Sequence, residues 1–106
     1  MYSRIVEINL KTDKLNEIRN TLDSEVLPTI KRQPGFVDAI ETLDPATGHF
    51  FCQTLWKDQQ SLERYANDVF PTFEPKLQKF INGEPKQYTM QVETSTIHQI
   101  AKGRAA

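Results

Sequence analysis

The chain changes period near its start, and that change constrains the fold more than any single residue does. From Arg4 to Lys11 apolar and polar positions alternate: Val6, Ile8 and Leu10 fall on one face, and Ile5, Glu7 and Asn9 on the other. Period two is the mark of a strand. From Leu15 onward the apolar residues recur at spacings of three and four, through Ile18, Leu22, Val26 and Ile30. Those spacings put them on one face of a helix. Thr12-Asp13 is the expected N-cap, and Gln33-Pro34-Gly35 is a firm stop. Pro28 lies inside the helical pattern and removes a backbone donor, so a kink is expected near Val26-Leu27.

The same reading continues along the chain. Phe36 to Leu43 and His49 to Trp56 read as strands around Asp44-Pro45-Ala46-Thr47-Gly48. Pro presets φ in that turn and Gly supplies a positive φ, so the pair should form an antiparallel hairpin. Asp58 should cap a second helix, striped by Leu62, Tyr65, Ala66 and Val69. Pro71 and Pro75 should break it, with Phe73, Leu77, Phe80 and Ile81 lining a further helical segment. Asn82-Gly83-Glu84-Pro85 should end that segment. Tyr88, Met90 and Val92 alternate with polar residues in a fourth strand. No internal repeat stands out. The order is βαββαβ, a ferredoxin-like α+β arrangement with one four-stranded antiparallel sheet and helices on one face.

With 106 residues the chain suits one domain, with a core over about 4–94 and a fraying tail over 95–106. The formal net charge is −1 and the basic residues are dispersed. A nucleic-acid or anionic-membrane partner needs a concentrated positive patch, so neither is expected. No apolar run is long enough to cross a bilayer, and the N-terminal stretch alternates like a strand, so no signal sequence is expected in it. One Cys cannot form an internal disulfide, and the expectation is a cytoplasmic protein.

Both faces of the strands carry bulky apolar groups. In the third strand Phe50, Cys52, Thr54 and Trp56 share one face, and Phe51, Gln53 and Leu55 the other. A sheet face left in water is usually more polar. A second copy packed sheet on sheet would cover the face that the helices leave bare, so a homodimer is expected.

The stretch from Leu27 to Asp58, LPTIKRQPGFVDAIETLDPATGHFFCQTLWKD, resembles the signature region of the antibiotic biosynthesis monooxygenase (ABM) superfamily. The resemblance lies in a kinked first helix ending in Pro34-Gly35-Phe36, a hairpin, and a strand ending in Trp56 before the polar start Lys57-Asp58. It implies the dimeric α+β barrel. It also implies a choice of activities: cofactor-independent oxygenation of aromatic, polyketide-like phenols, haem degradation, or none assigned.

Transferred by that resemblance, Asn9 would face a cavity between helices and sheet and hold a substrate oxygen. Trp56 would be the wall of the same cavity, with Tyr65, Phe70 and Phe73 from the second helical region completing an aromatic pocket. The plainer reading of each is equally physical: Asn9 bonded to backbone at a strand end, and Trp56 and the aromatic stripe as core. The haem-degrading branch needs a His on the second helical segment, where this chain has Phe73-Glu74-Pro75. His49 and His98 lie elsewhere and have no partner at metal-ligand spacing, so no metal site is expected. Cys52 reads as a small buried residue. Glu7 could be a base if its face lines the cavity, and is otherwise an edge or paired carboxylate. The implied function is a metal- and flavin-free monooxygenase acting on a small aromatic substrate, with Asn9 and Trp56 as catalytic residues. The rivals are a non-catalytic ligand-binding or stress-related dimer and an isomerase or decarboxylase on the same barrel.

Overall fold

The computed structural model describes residues 1–98 completely and the backbone of 100–101 and 104–105. The strands β1 (Tyr2–Leu10), β2 (Phe36–Leu43), β3 (His49–Trp56) and β4 (Ile81–Gln91) form one antiparallel sheet in the order β2-β3-β1-β4. The first helical region comprises α1 (Leu15–Thr21), a π-helical turn Leu22–Val26 and α2 (Leu27–Lys31). The second comprises α3 (Gln59–Arg64), a π-helical turn Tyr65–Val69 and α4 (Phe70–Leu77). This is the ferredoxin-like βαββαβ arrangement, with both helical regions on one sheet face. In the tail, β5 (Ile100–Ala101) pairs with β6 (Arg104–Ala105).

Alternation in β1 does what its period implies. Val6, Ile8 and Leu10 are buried with Ile18 of α1, Phe50 of β3 and Phe80 in one cluster. A second cluster joins Val26, Ile30, Trp56, Leu62, Tyr65 and Phe73. Asp58 caps α3, its carboxylate accepting from Ser61 N–H at 2.8 Å. The expected Thr12-Asp13 cap does not form; those residues open a 3-10 turn, Thr12–Lys14, with no side-chain cap bond.

The kink expected at Pro28 is a π turn. The Leu27 N–H reaches back to the carbonyl of Leu22, five residues earlier. Pro71 does the same, with Phe70 N–H bonded to the Tyr65 carbonyl. A proline within a helix lacks the N–H for the i−4 bond and crowds that carbonyl, and the ladder slips by one residue ahead of it. The second helical region is therefore not broken at Pro71 as expected; it continues past the slip, with Pro75 inside α4. The device exposes a short repeat that periodicity alone does not show. Ser24-Glu25-Val26-Leu27-Pro28-Thr29-Ile30 and Asn67-Asp68-Val69-Phe70-Pro71-Thr72-Phe73 match position by position in chemical type.

The fourth strand begins earlier than its alternation indicates. Asn82 pairs with Asn9 and Lys86 with Glu7, so Gly83-Glu84-Pro85 bulge opposite Ile8. Those residues are part of the strand and not a stop. Gly83 has φ of 77°, and Pro85 sits where no ladder donor is required.

The corner that carries the family resemblance is a single packed unit. The Lys57 N–H donates to the Gly35 carbonyl at 2.9 Å, and the Phe36 ring meets Trp56 edge-on with centroids 5.8 Å apart. Gly35 has φ of 83°, and a Cβ there would run into Ser61 at the start of α3. Both the dihedral and the contact require glycine. Gly35→Ala should therefore cost about 1–3 kcal/mol. The loss should read as a lower urea midpoint at unchanged m-value, and an unchanged midpoint would show that the corner is not under this constraint.

Candidate functional site

A cleft opens between the two helical regions and the inner sheet face. Its floor is β1 and β3, with Val6, Ile8 and Phe50; its walls include Leu22, Val26 and Ile30 on one side and Tyr65, Phe70 and Phe73 on the other. Residues from both π turns line it. The space open to the centre of a water-sized sphere is about 50 Å³, against the roughly 10–15 Å³ that one water needs. The cleft is narrow and almost wholly apolar, with a few polar groups placed at intervals, as ligand sites commonly are.

The strongest of these polar groups is Arg4. It is in phase with Val6, Ile8 and Leu10 on β1 and so enters the cleft with only 3% of its surface exposed. Its Nη1 donates to Gln87 Oε1 at 2.9 Å, but Nε and Nη2 have no partner. The guanidinium carbon lies 4.5 Å from the Phe70 ring centroid and 5.9 Å from that of Tyr65. Cation–π contact holds such a group in place. Burial pulls its pKa below the usual value, but guanidinium keeps its charge in proteins.

Glu41 enters the same cleft from β2, opposite Cys52, and its Oε2 is buried without a partner. Desolvation, aided by Asp23, raises its pKa. Burial pushes the Cys52 thiol up to about 12. It stays protonated near neutrality and is not a nucleophile. Burial likewise raises the Tyr65 phenol, which stays neutral.

Of the residues singled out from sequence, Tyr65, Phe70 and Phe73 come together at the cleft wall. Trp56 does not line it. Its ring is fully buried behind Tyr65, stacked at 4.9 Å and 24°, and its indole N–H donates to Thr54 Oγ1 at 2.9 Å. Trp56 is packed core that supports a lining residue. Asn9 is on the opposite sheet face and exposed, paired in register with His49 and Asn82. Strand alternation separates it from the cleft, and it is not brought near Trp56 or the aromatic wall.

Glu7 shares that outer face. Its carboxylate meets His49 Nε2 at 2.8 Å and accepts from Tyr88 OH at 3.2 Å, and the His49 bond chiefly lowers its pKa. It is a paired surface carboxylate and not a buried base. His98 contacts Asp38 at 3.3 Å. Among the described residues no group of three His, Cys, Asp or Glu side chains could hold a metal, and Phe73-Glu74-Pro75 offers a buried ring and a carboxylate where a haem ligand would stand. Among the described residues no helix is long and apolar enough to cross a membrane.

Arg4 and Glu41 were the residues to find, and each breaks strand polarity. Arg4 lies on the apolar face of β1. In β2, Glu41 points inward while Ile40 points outward and is 49% exposed. An inward-facing, half-buried carboxylate beside an exposed isoleucine is a local conflict of the kind that marks functional sites.

No family model matches the chain, and no curated protein does. Solved structures do match. One named as an antibiotic biosynthesis monooxygenase superposes with a TM-score of 0.70 at 18% identity, over 87% of this chain and 98% of that one. A monooxygenase from Streptomyces coelicolor, solved with nanaomycin D, gives 0.68 at 17% identity, over 84% of each chain. A protein of unknown function from Nitrosomonas europaea gives 0.75 at 12% identity, over 90% and 91%. The fold is that of the ABM proteins, and at these identities the likeness shows the fold alone.

The direction of the Glu41 shift fixes a pH dependence. Its folded pKa is above the unfolded one, so the folded state holds the proton more tightly. Stability from this group is full below the unfolded value and is lost as pH rises through the folded one. Glu41→Gln, which keeps the shape without the charge, should raise the thermal midpoint at pH 8 and change it little at pH 4. Equal shifts at both pH values would contradict the assignment.

Proposed function

We propose that the chain binds a small planar aromatic compound in the cleft and oxygenates it without metal or flavin. One observation carries this: an apolar slot lined by Tyr65, Phe70 and Phe73 holds the buried Arg4 and the half-buried Glu41, each with buried polar atoms that have no partner. Purely structural clefts rarely retain unpaired polar groups, because each costs free energy. Several structural neighbours are named as monooxygenases or as a cofactor-independent oxygenase, which supports the reading, while another has no assigned function.

In this reading Glu41 is the base. A phenolic or benzylic proton moves to its carboxylate, whose raised pKa brings it closer to that of the acid it must deprotonate. Glu41 also lines a second, more open pocket with Asp23 and Arg19, which would give the proton an exit to solvent. The substrate anion supplies the electrons to O₂. For an anthrone-type CH₂ group, one oxygen atom becomes the new carbonyl and the other leaves as water with the two hydrogens. Arg4 and the aromatic wall orient the anion and exclude water. Trp56 and Asn9 take no direct part.

The working unit of this proposal is a homodimer in the cytoplasm, where a lone thiol such as Cys52 stays reduced. Across the outer sheet face one row reads Ile40, Gln53, Ile5 and Tyr88, flanked by Phe51 and Met90. Ile40, Phe51, Tyr88 and Met90 are large side chains left 37–50% exposed. A contiguous exposed apolar patch marks an association surface. Sedimentation at micromolar concentration should give a dimer, and Ile40→Asp with Met90→Asp should give a folded monomer. A wild-type monomer would remove the dimer from the proposal.

The rival is a non-catalytic binder with the same cleft, favoured by the position of Trp56 in packed core. Oxygen uptake separates the two. Against a panel of hydroquinones and anthrones, the wild type should consume O₂ without added metal or flavin. Glu41→Gln should lower kcat by about 10²–10⁴-fold, as loss of a general base does. Binding without uptake across the panel would favour the non-catalytic reading.

A further inference from the structure

We propose that the cleft is specific for a planar aromatic carboxylate, gripped through both oxygens by the free edge of Arg4. The inference rests on the reading of the cleft as a small-molecule site and names the class of compound that fits it.

A guanidinium has five N–H groups, and only Nη1 is engaged here, with Gln87. The unpartnered atoms are Nε and Nη2, and both are closed off by their surroundings, so the ligand reaches them only if Arg4 or the ring packed on it moves aside by about the width of an oxygen atom. The two nitrogens lie along one edge, and their N–H bonds run parallel at the spacing of carboxylate oxygens. This is the fork that takes a carboxylate in two hydrogen bonds. The edge cannot turn to bulk water, because Gln87 holds one side and the Phe70 and Tyr65 rings lie against the group. Nor does a protein carboxylate occupy it. The ion pairs among the described residues are Glu7–His49, Glu25–Lys76 and Asp38–His98, and none involves Arg4. A buried cation with no counter-ion in contact is unfavourable. An incoming carboxylate would supply that counter-ion.

The surroundings narrow the choice further. A phenolate offers one oxygen and cannot meet both parallel N–H groups linearly. A phosphate dianion would bring a second charge into a slot that Glu41 and Glu74 also line. The carbon body of the ligand would lie against Phe70, Tyr65 and Phe73, so a flat ring matches better than a flexible chain. Glu41, with its free oxygen, would meet a hydroxyl on the same ring system.

Calorimetric titration with 2-naphthoate, 2-naphthamide, methyl 2-naphthoate and nonanoate tests this on the wild-type protein. Naphthoate should bind at least tenfold more tightly than each of the other three. In Arg4→Met the preference over the amide should vanish while the amide still binds. In Arg4→Lys, which keeps charge but lacks the fork, naphthoate should weaken by at least tenfold. Equal binding of naphthoate, amide and ester by the wild type would overturn the carboxylate proposal and leave the cleft reading standing. Nonanoate binding as tightly as naphthoate would overturn the aromatic part. Binding of none of the four would overturn the cleft reading and this proposal with it. The wild-type comparisons hold whether or not the variants fold.

Discussion

Two prolines set the geometry on which the cleft depends. Pro28 and Pro71 each withhold the N–H that would close an α-helical turn, and each helical region answers with a π turn just before it. A π turn carries an extra residue in the ladder, so the side chains on either side are re-aimed relative to a straight helix. Leu22 and Val26 are placed by the first slip, and Tyr65 and Phe70 by the second. All four reach the cleft. The same seven-residue pattern thus contributes to both walls, with Val26 and Ile30 on one and Phe70 and Phe73 on the other. Ile30 in the first copy corresponds to Phe73 in the second and both line the cleft, whereas Leu27, the counterpart of Phe70, does not.

The floor of the cleft inverts the usual logic of a sheet. A strand with one covered face should keep its polar residues outside. Here β1 turns Arg4 inward, β2 turns Glu41 inward, and β2 and β4 leave Ile40, Tyr88 and Met90 outside. The buried guanidinium is only partly compensated, by Gln87 and by two rings. Uncompensated burial of this kind opposes folding, so the arrangement makes sense where a ligand completes it inside and another apolar surface completes it outside.

Much of the architecture was legible because it depends on local rules. Period two in β1, the turn chemistry of Asp44 to Gly48, the Asp58 cap and the stop at Gly35 are each decided within a few residues. The outcome matches at every one of them. Two local signals fail, the Thr12-Asp13 cap and the break at Pro71; the other misses are decided at longer range. The strand β4 absorbs Gly83 and Pro85 through a bulge, because pairing with Asn9 through Asn82 outweighs the local turn signal. Trp56 has a partner in Tyr65 from a different element, so its full burial could not be read from its own stretch. Resemblance places Asn9 at the cavity, but strand alternation puts it on the face opposite Val6, Ile8 and Leu10. The same alternation places Arg4 on the cleft side. The signal for the site was present in the first ten residues, in the one charged residue in phase with an apolar stripe.

Because β1 is central in the sheet, its two faces tie the proposed site and the proposed interface together. Arg4, Val6 and Ile8 form the cleft floor, while Ile5, Glu7 and Asn9 lie on the outer face between β3 and β4. A strand cannot shift by one residue without exchanging those sets. The bulge at Gly83-Glu84-Pro85 falls opposite Ile8, and Ile81 and Pro85 both reach the cleft. Around β1 the irregularity is confined to the β4 side; the sheet's other shift, between Phe36 and Asp38, lies in the β2–β3 pair, and the β1–β3 register runs unbroken from Tyr2 to Asn9. The position of Arg4 is fixed by the most regular pairing in the molecule. That rigidity suits a side chain whose proposed task is to present two N–H groups at a fixed spacing.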